Sequence, residues 1–436
     1  MRYSAIVGGK MDRTQFYDEI DKIILGLVKK QPDFYFLMKS KKGIHPIDIK
    51  LSLQRLYKKK KISAALFRKI TISAKNKGKV VSEDDNLLPV PHLLDYDWRF
   101  SIEGIETMIS LINRNNKYNN AVIAFIGTPS LFKMFFSKQE TKNQYILIDK
   151  NADKHIQYII RCTKNFSFKK YDIMTREPIN VQADLVVMDP PWYLTYNKLF
   201  FQFAESMVKI NGKIICVLPP KYTRKSIEDE LQELEQFIND LGIEKEHYYK
   251  NVVTYNTPPF ERNALRENGI YCMPKGWRTG DVLIAKKVSK STAIQSPIII
   301  SETGWEEINI GMVRYKLKTD FDLEIKSFNL SIESVFKNDI YPSVKRSRTK
   351  EEKTINVWTS GNRVFYCNNI PLLYYILLEH SVRYKHYDIN ICDKIEWGFN
   401  IKLSEQEKAG ISKCVELIKT INKKEYQEYG KWGKLA

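Results

Sequence analysis

The stretch ADLVVMDPPW covers residues 183–192. It consists of a mostly apolar run that is followed by an acidic residue, two prolines and an aromatic residue. A short apolar run of this kind is typical of a strand buried on both faces of a parallel sheet. Similar strand-like runs recur at residues 121–126, 145–148 and 212–218, and a late run at 282–285 is expected to be antiparallel. Helical stretches lie between them at 198–209 and 225–241. The alternation predicts an α/β fold with a doubly wound sheet. Ligands of such sheets bind beyond the carboxyl ends of the strands, where Asp189 falls.

The motif Asp189-Pro190-Pro191-Trp192 suits the alkylation of an exocyclic amino group. The amino nitrogen of a nucleobase is a poor nucleophile because its lone pair is delocalised into the ring. Hydrogen-bond acceptors on its hydrogens free that lone pair, and the Asp189 carboxylate and the Pro190 carbonyl can supply them. Pro191 stiffens the turn, and Trp192 offers a face on which a base can stack, with Tyr193 beside it as a substrate contact. The alternative is a tight turn whose tryptophan packs in the core.

A cofactor site is predicted at the ends of the strands before this motif. Gly127, Thr128 and Pro129 follow the first strand, where a glycine lets the backbone approach a ligand closely. Asp149 ends the second strand, where an acidic residue can hold both ribose hydroxyls of an adenosyl cofactor. Asp172 is placed to bind the adenine amino group. For Asp149 alone, a solvated strand end is an equal alternative.

The composition narrows the class of protein. The 436 residues are 43% hydrophobic and carry a formal net charge of +19, which favours an anionic partner such as nucleic acid. No run is apolar enough for a membrane helix, so no membrane partner is expected. The six cysteines and six histidines lie apart, without metal-ligand spacing, so we predict no metal site and no disulfide framework. We expect a soluble protein of a reducing compartment, the cytoplasm.

The amino-terminal segment holds most of the excess charge. Residues 1–90 contain 20 basic and 9 acidic side chains. The densest basic run, predicted to contact phosphates, is Lys58, Lys59, Lys60 and Lys61. A solvated helix end is the alternative for this run. Helices at 13–30, 47–57 and 62–70 and a hairpin over 69–81 predict that residues 1–87 form a basic, winged-helix-like domain.

Two further regions carry candidate contacts. Phe260 could line a base pocket and Glu261 could contact the substrate. The alternative is a proline-stiffened loop capped by a helix at 262–267. Residues 291–436 are predicted to form a small α+β domain, with helices at 371–379 and 404–422, that could bind partner proteins. The segment 358–363, beside the basic run 345–350, could grip a nucleic-acid strand, or could belong to a flexible charged loop.

The ordered set of motifs resembles the amino-methyltransferase family of S-adenosylmethionine enzymes, which has an (Asp/Asn/Ser)-Pro-Pro-aromatic signature. The turn Gly127-Thr128-Pro129-Ser130-Leu131 resembles the branch that includes elongation-factor lysine methyltransferases and ribosomal-RNA adenine methyltransferases. The chain is also similar to branched-chain polyamine synthases, which join a winged helix to a Rossmann domain and transfer aminopropyl groups. The resemblance covers residues 88–290 and implies a Rossmann-like class I methyltransferase domain with S-adenosyl-L-methionine as cofactor.

The resemblance leaves several substrates open. N6 of adenine in DNA or RNA is the leading prediction, because Trp192 provides a stacking face and the basic charge repels a polyamine. The polyamine synthases have an acidic cluster in place of the neutral turn at Gly127, and no aromatic after Asp-Pro-Pro. The alternatives are aminopropyl transfer to a polyamine, methylation of a protein lysine, and a non-catalytic nucleic-acid-binding protein with a methyltransferase-like fold.

Overall fold

The computed structural model describes residues 13–40, 42–76, 89–116, 120–138, 142–150, 154–175, 179–291, 298, 304–319, 324–344, 354–383 and 390–429. The chain divides into two units, each held together by its own contacts. The first comprises Met1–Asp85, Arg99–Asn256 and Cys272–Ile300, and the second Asn86–Trp98, Thr257–Tyr271 and Ser301–Ala436. The predicted division into domains 1–87, 88–290 and 291–436 stays a prediction. The amino-terminal helices fall in the same unit as the large sheet, and two stretches of the predicted central domain fall in the second unit.

Four helices open the first unit: α1 (Arg13–Lys30), α2 (Phe34–Lys39), α3 (Pro46–Lys58) and α4 (Ala64–Ala74). Pro46 occupies the first turn of α3, and Ser63 caps α4 by accepting a hydrogen bond from the Leu66 N–H. The hairpin expected from residue 69 is wrong as far as residue 74, because α4 continues and buries Ile70 and Ala74 on one face. Residues 77–81 lie outside the described residues, so a wing is not observed and a winged-helix-like unit stays a prediction.

A seven-stranded sheet forms the centre of the first unit. Its strands are β1 (Val122–Ile126), β2 (Gln144–Asp149), β3 (Phe166–Lys170), β4 (Ala183–Met188), β5 (Val208–Leu218), β6 (Ile243–Tyr255) and β7 (Arg278–Lys287). The strand order is β3-β2-β1-β4-β5-β7-β6, with β1 to β5 parallel and β7 antiparallel to both of its neighbours. This confirms the predicted Rossmann-like fold and the antiparallel late strand. Strand β3, whose sequence FSFKK lacks a continuous apolar run, was not predicted.

Helices connect the strands in the order expected of a doubly wound sheet. They are α5 (Ile102–Asn115), α6 (Pro129–Lys138), α7 (Lys154–Cys162), α8 (Leu194–Met207) and α9 (Ile227–Asp240). The strand order reverses between β1 and β4, which are hydrogen-bonded neighbours. At such a reversal the connections leave the sheet in opposite directions and open a crevice beyond the carboxyl ends of the strands. Gly127 follows β1 and Asp189 follows β4 at this crevice.

The second unit contains a five-stranded antiparallel sheet in the order β10-β12-β11-β9-β8. The strands of this sheet are β8 (Trp305–Ile310), β9 (Val313–Lys318), β10 (Ile332–Ser334), β11 (Val357–Thr359) and β12 (Val364–Cys367). The helices of the second unit are α10 (Pro259–Glu267), α11 (Ile370–Arg383), α12 (Ile391–Phe399) and α13 (Glu405–Tyr429). The small second sheet matches the α+β character predicted for this part of the chain. Strands β8 and β9 form a hairpin that turns at Gly311. Among the described helices, none is both long and apolar enough to cross a lipid bilayer.

Candidate active site

The Asp189 carboxyl lies directly beyond β4 and is held by Tyr255 at the end of β6. The Tyr255 hydroxyl donates to this carboxyl, 2.9 Å from Oδ1 and 3.0 Å from Oδ2. Tyr255 is 1% exposed, and burial, followed by the charge of Asp189, raises its pKa well above the ordinary value. The hydroxyl therefore keeps its proton and acts as a permanent donor to the carboxyl.

Burial also changes the ionisation of Asp189. It raises the pKa of the carboxyl to about 7, against the hydrogen bond from Tyr255, the positive charge of Arg278 and a hydrogen bond from the Trp192 side chain, which all lower it. The side chain nevertheless keeps a partly exposed surface. A half-buried residue whose carboxyl pKa is raised to near neutrality is a candidate acceptor of protons in catalysis.

Trp192 stands beside this carboxyl with one edge and one face already in contact with protein. Its ring meets Tyr255 in a T-shaped arrangement, with the centroids 5.5 Å apart and the planes at 87°. The Arg278 guanidinium carbon lies 4.8 Å from the indole centroid, a cation–π distance. A Cβ on Gly280 would come within 3.4 Å of Trp192 Cζ2 and 2.7 Å of Val217 Cγ1, so the indole packs closely over this glycine. The ring remains partly exposed.

The backbone of the motif leaves the carbonyl of one buried residue, Pro190, without a hydrogen bond among the described residues. The Tyr193 N–H donates to the Pro191 carbonyl at 2.7 Å, and the Tyr193 carbonyl accepts from Asn197 N–H in the first turn of α8. Within the described part of the chain, no hydrogen bond engages the carbonyl of Pro190. The Tyr193 ring lies under the Arg224 guanidinium, 5.3 Å from centroid to the guanidinium carbon. Two arginines therefore border the aromatic residues of the motif.

The turn after β1 has the features of a ligand-binding turn. Gly127 adopts φ +62, a conformation that favours glycine, and its own surface is exposed. Thr128 is 3% exposed, and among the described residues its Oγ1 has no hydrogen-bond partner. A buried hydroxyl without a partner costs about 1–3 kcal/mol, so a polar ligand group at this position would be favoured. Pro129 begins α6, whose amino-terminal end therefore adjoins the turn. These residues fit the adenosyl cofactor predicted from the sequence.

The two predicted adenosine-binding carboxylates differ in their surroundings. Asp149 ends β2 and is half-buried, and its backbone carbonyl accepts from Tyr171 N–H at 2.9 Å. The Asp172 carboxylate accepts from the Met174 N–H at 2.9 Å and pairs with Lys150 at 3.0 Å. The Asp172 side chain thus already fixes its own loop, a use that the sequence did not indicate. Both assignments to the cofactor stay predictions.

Phe260 and Glu261 are core residues of the second unit. Phe260 is fully buried and meets Trp98 edge to face, with the centroids 4.8 Å apart. Glu261 is also fully buried and accepts a hydrogen bond of 2.9 Å from Trp98 Nε1. This corresponds to the structural alternative for the loop, because neither side chain presents a surface to a substrate while this packing is intact.

The segment 358–363 is likewise buried. The basic run 345–350 beside it lies outside the described residues, so its contact with a nucleic-acid strand stays a prediction. Thr359, Ser360 and Asn362 are fully buried, and Arg363 is 3% exposed. Glu425 of α13 accepts hydrogen bonds from Thr359, Tyr429 and Gly361 N–H and pairs with Arg363. The segment therefore anchors α13 to the small sheet. Binding of partner proteins by this unit stays a prediction.

The predicted phosphate contacts at the end of α3 are accessible. Lys58, Lys59, Lys60 and Lys61 are all exposed, and Lys59 pairs with Asp18 at 3.0 Å. Next to them, Tyr57 is 42% exposed and stacks on Phe67 of α4, with the centroids 4.8 Å apart and the planes at 10°. We call this surface, formed by Tyr57, the four lysines and Phe67, the α3–α4 basic surface.

Tyr255 and Arg278 are the site residues that sequence reasoning missed. They are paired across β6 and β7, so both reach the end of β4 together. The sequence carries only a local signal for them: the strand-like run HYYKNVVTY, residues 247–255, ends at Tyr255, and Arg278 follows Trp277 shortly before the run 282–285.

Comparison with known protein families tests the resemblance stated from the sequence. Residues 96–256 match the family described as "Probable N6-adenine methyltransferase". The matched segment contains β1 to β6 and with them the whole Asp189–Trp192 motif. The match confirms the predicted enzyme class, a methyltransferase with S-adenosyl-L-methionine as cofactor. A search of curated proteins found no match.

A comparison with solved structures matches, among others, a polyamine enzyme and a methyltransferase. The branched-chain polyamine synthase from Thermus thermophilus, in complex with N4-aminopropylspermidine and 5′-methylthioadenosine, is 10% identical, with a TM-score of 0.48 over 68% of this chain and 97% of that chain. A methyltransferase from Pyrococcus furiosus is 15% identical, with a TM-score of 0.29 over 42% of this chain and 82% of that chain.

Proposed function

We propose that the protein transfers a methyl group from S-adenosyl-L-methionine to the N6 amino group of adenine in a nucleic acid. The observation that carries the proposal is the Asp189 carboxyl, fixed by Tyr255 beside the half-exposed indole of Trp192. A flat base on the indole would bring its exocyclic amine to an acceptor that is already oriented. Positioning of this kind supplies much of the acceleration of a transfer between two bound reactants.

In this proposal the residues of the motif activate the amine. The Asp189 carboxylate and the Pro190 carbonyl each accept one of its hydrogens, which frees the nitrogen lone pair. When bound, the cofactor supplies a methyl group made electrophilic by a positively charged sulfur. As the nitrogen–carbon bond forms and the sulfur–carbon bond breaks, the nitrogen becomes cationic. The Asp189 carboxylate is placed to take the proton that it then releases, consistent with a pKa of about 7.

We assign the cofactor to the crevice between β1 and β4. Gly127, Thr128 and Pro129 would line it, with the Thr128 hydroxyl gaining the partner that it otherwise lacks. Asp149 would hold the ribose hydroxyls, and Asp172 would approach the adenine amino group after its pairing with Lys150 loosens.

The charges around the motif favour a nucleic-acid substrate over a polyamine. A polycationic substrate needs several carboxylates, but Arg278 lies against Trp192 and Arg224 against Tyr193. Cations beside stacking aromatics suit a base that is attached to phosphates. A base in a duplex would have to be flipped out to reach this position.

The α3–α4 basic surface belongs to the same unit as the site and is tied to the loop after β5. Arg55 of α3 pairs with Asp21 of α1 at 2.8 Å. Glu19 of α1 in turn pairs with Lys221 at 3.2 Å and accepts from the Tyr222 hydroxyl at 3.3 Å, just beyond the carboxyl end of β5. The helices are therefore anchored at the edge of the sheet where ligands bind, so a strand that reaches the site can also reach them.

Neutralising the four lysines should weaken nucleic-acid binding and flatten its salt dependence. The variant changes Lys58, Lys59, Lys60 and Lys61 to glutamine. For each phosphate contact that it removes, we expect the slope of log K against log salt to become shallower by up to about 0.9. Binding titrations at several salt concentrations measure this slope. The matched control changes four exposed lysines of α13, namely Lys413, Lys419, Lys423 and Lys424. An unchanged slope in the first variant would remove the α3–α4 basic surface from the proposal.

Transfer should rise with pH across the neutral range. The pKa of Asp189 is about 7, and only the charged form is a full acceptor for the amine hydrogens. Below pH 7 the carboxyl is mostly protonated and turnover falls about tenfold for each further unit, whereas above about pH 8 it levels off. Single-turnover rates between pH 5.5 and 9 test this expectation, and a flat profile would contradict the role given to the carboxylate.

The substrate class is tested by incubating the full chain with labelled S-adenosyl-L-methionine and, in parallel, DNA, RNA, a protein mixture and spermidine. We expect label in a nucleic acid, on N6 of adenine after digestion to nucleosides. Label confined to protein or spermidine would replace the substrate proposed. No binding of S-adenosyl-L-methionine at millimolar concentration by calorimetry would refute the enzymatic function and favour the non-catalytic alternative.

A further inference from the structure

We propose that Tyr255 is a positioning residue of the transfer reaction, whose hydroxyl fixes the orientation and the charged form of the Asp189 carboxyl. The inference rests on the proposed function for its catalytic consequence, but the geometry on which it is built is independent of the substrate. Tyr255 contributes no group to the cofactor turn and none to the Asp189–Trp192 motif, and it reaches the site from β6.

The Tyr255 ring is immobilised on both sides. Phe100 packs against it with the centroids 5.0 Å apart, and Trp192 meets it at 5.5 Å. Its backbone is held as well, by an antiparallel bridge to Phe100 and by pairing with Arg278 in β7. A side chain so enclosed cannot turn its hydroxyl away from Asp189 without breaking the core around it.

The single hydroxyl proton lies between both carboxyl oxygens, at nearly equal oxygen–oxygen distances of 2.9 and 3.0 Å. This sets the plane of the carboxyl. A carboxylate has about four acceptor positions, so the hydrogen bonds from Tyr255 and Trp192 leave room for a substrate amine. A hydrogen bond donated to a carboxylate also stabilises its charged form, which counteracts the effect of burial.

A substitution that removes only the hydroxyl oxygen of Tyr255 separates the contribution of its hydroxyl from that of its packed ring. Tyr255→Phe keeps the ring between Phe100 and Trp192 and removes only the donor. If Tyr255 serves the core alone, this variant should behave as the parent protein does. The matched control is Tyr248→Phe, which removes a hydrogen bond of the same kind from the same strand, because the Tyr248 hydroxyl donates to Asp281 at 2.9 Å.

The first measurement is the pH profile of methyl transfer to the nucleic acid. We expect Tyr255→Phe to lower the rate about fivefold at pH 7 and to move the midpoint of the profile upward by about one unit, so that much of the rate returns at pH 9. Binding of S-adenosyl-L-methionine should be unchanged in both variants, and Tyr248→Phe should keep the parent profile. A Tyr255→Phe profile that coincides with the parent profile would overturn the inference.

The second measurement does not depend on activity. Asp189→Asn, which is always uncharged, serves as the reference for thermal melts over a pH series. Because burial raises the pKa of Asp189 to about 7, from about 4 when unfolded, the parent loses stability relative to this reference between about pH 4 and pH 7. In Tyr255→Phe the loss should continue to about pH 8. If the parent protein has no transferase activity, the proposed function is refuted. If the stability loss of Tyr255→Phe ends at the same pH as that of the parent, the role of Tyr255 is refuted.

Discussion

Replacing Asp189 by alanine should reduce methyl transfer by about 10²–10³-fold while the affinity for S-adenosyl-L-methionine stays the same. The carboxyl is the acceptor that draws the amine hydrogens away from the nitrogen, and only the carbonyl of Pro190 would remain to do so. The proposed cofactor residues are other side chains, on the turn after β1 and following β2 and β3, so the substitution removes none of them. Single-turnover kinetics and calorimetry on the same preparation measure the two quantities.

A general loss of structure must be distinguished from this effect, because Asp189→Ala leaves the buried Tyr255 hydroxyl without its acceptor. Asp281→Ala is the matched control. Asp281 is 3% exposed, accepts from the Tyr248 hydroxyl at 2.9 Å and from Asn251 N–H at 2.7 Å, and its pKa is also raised by burial. We expect comparable melting temperatures for the two variants and transfer lost only in the first. Turnover of Asp189→Ala at the parent rate would refute the catalytic role of the carboxylate.

The central fold was predictable because its strands are buried on both faces and so appear as apolar runs. β1, β2, β4 and β5 were all located to within a few residues. β3 was not, because it is the outermost strand on its side of the sheet and only one of its five residues, Phe166, is buried. The hairpin expected after residue 69 failed because polar–apolar alternation over six residues is also compatible with a helix that buries one side.

The site was predictable only where it is local in sequence. Gly127 and Asp189 each follow a parallel strand, and the topology of a doubly wound sheet brings such positions to one edge. Tyr255 and Arg278 depend on the register between β6 and β7, which is shifted by irregularities and cannot be deduced from either segment alone. Phe260 resembles Trp192 in its local motif, an aromatic after two prolines. What separates them is long-range packing, because Phe260 joins the core of the second unit.

Replacing Trp192 by alanine should lower kcat/KM for the nucleic acid by about 10–100-fold, because stacking of a base on an aromatic ring contributes about 1–3 kcal/mol. Arg278 already covers one face of the indole, so the base must use the remaining exposed surface or displace the guanidinium. The affinity for S-adenosyl-L-methionine should change little. Trp192→Phe, which retains a stacking ring, should recover most of the loss. Steady-state kinetics on one oligonucleotide series would measure these effects.

Trp397→Ala is the matched control for this change, since Trp397 is 89% exposed on α12 of the second unit and its removal creates no cavity. It should keep the parent kinetics. If Trp192→Ala also kept them, the base would not rest on this indole, and the Asp189 carboxyl would have to act on an amine positioned by another surface. If instead kcat fell in Trp192→Ala without a change in KM, the indole would act on the geometry of Asp189, to which its side chain donates, and not on substrate binding.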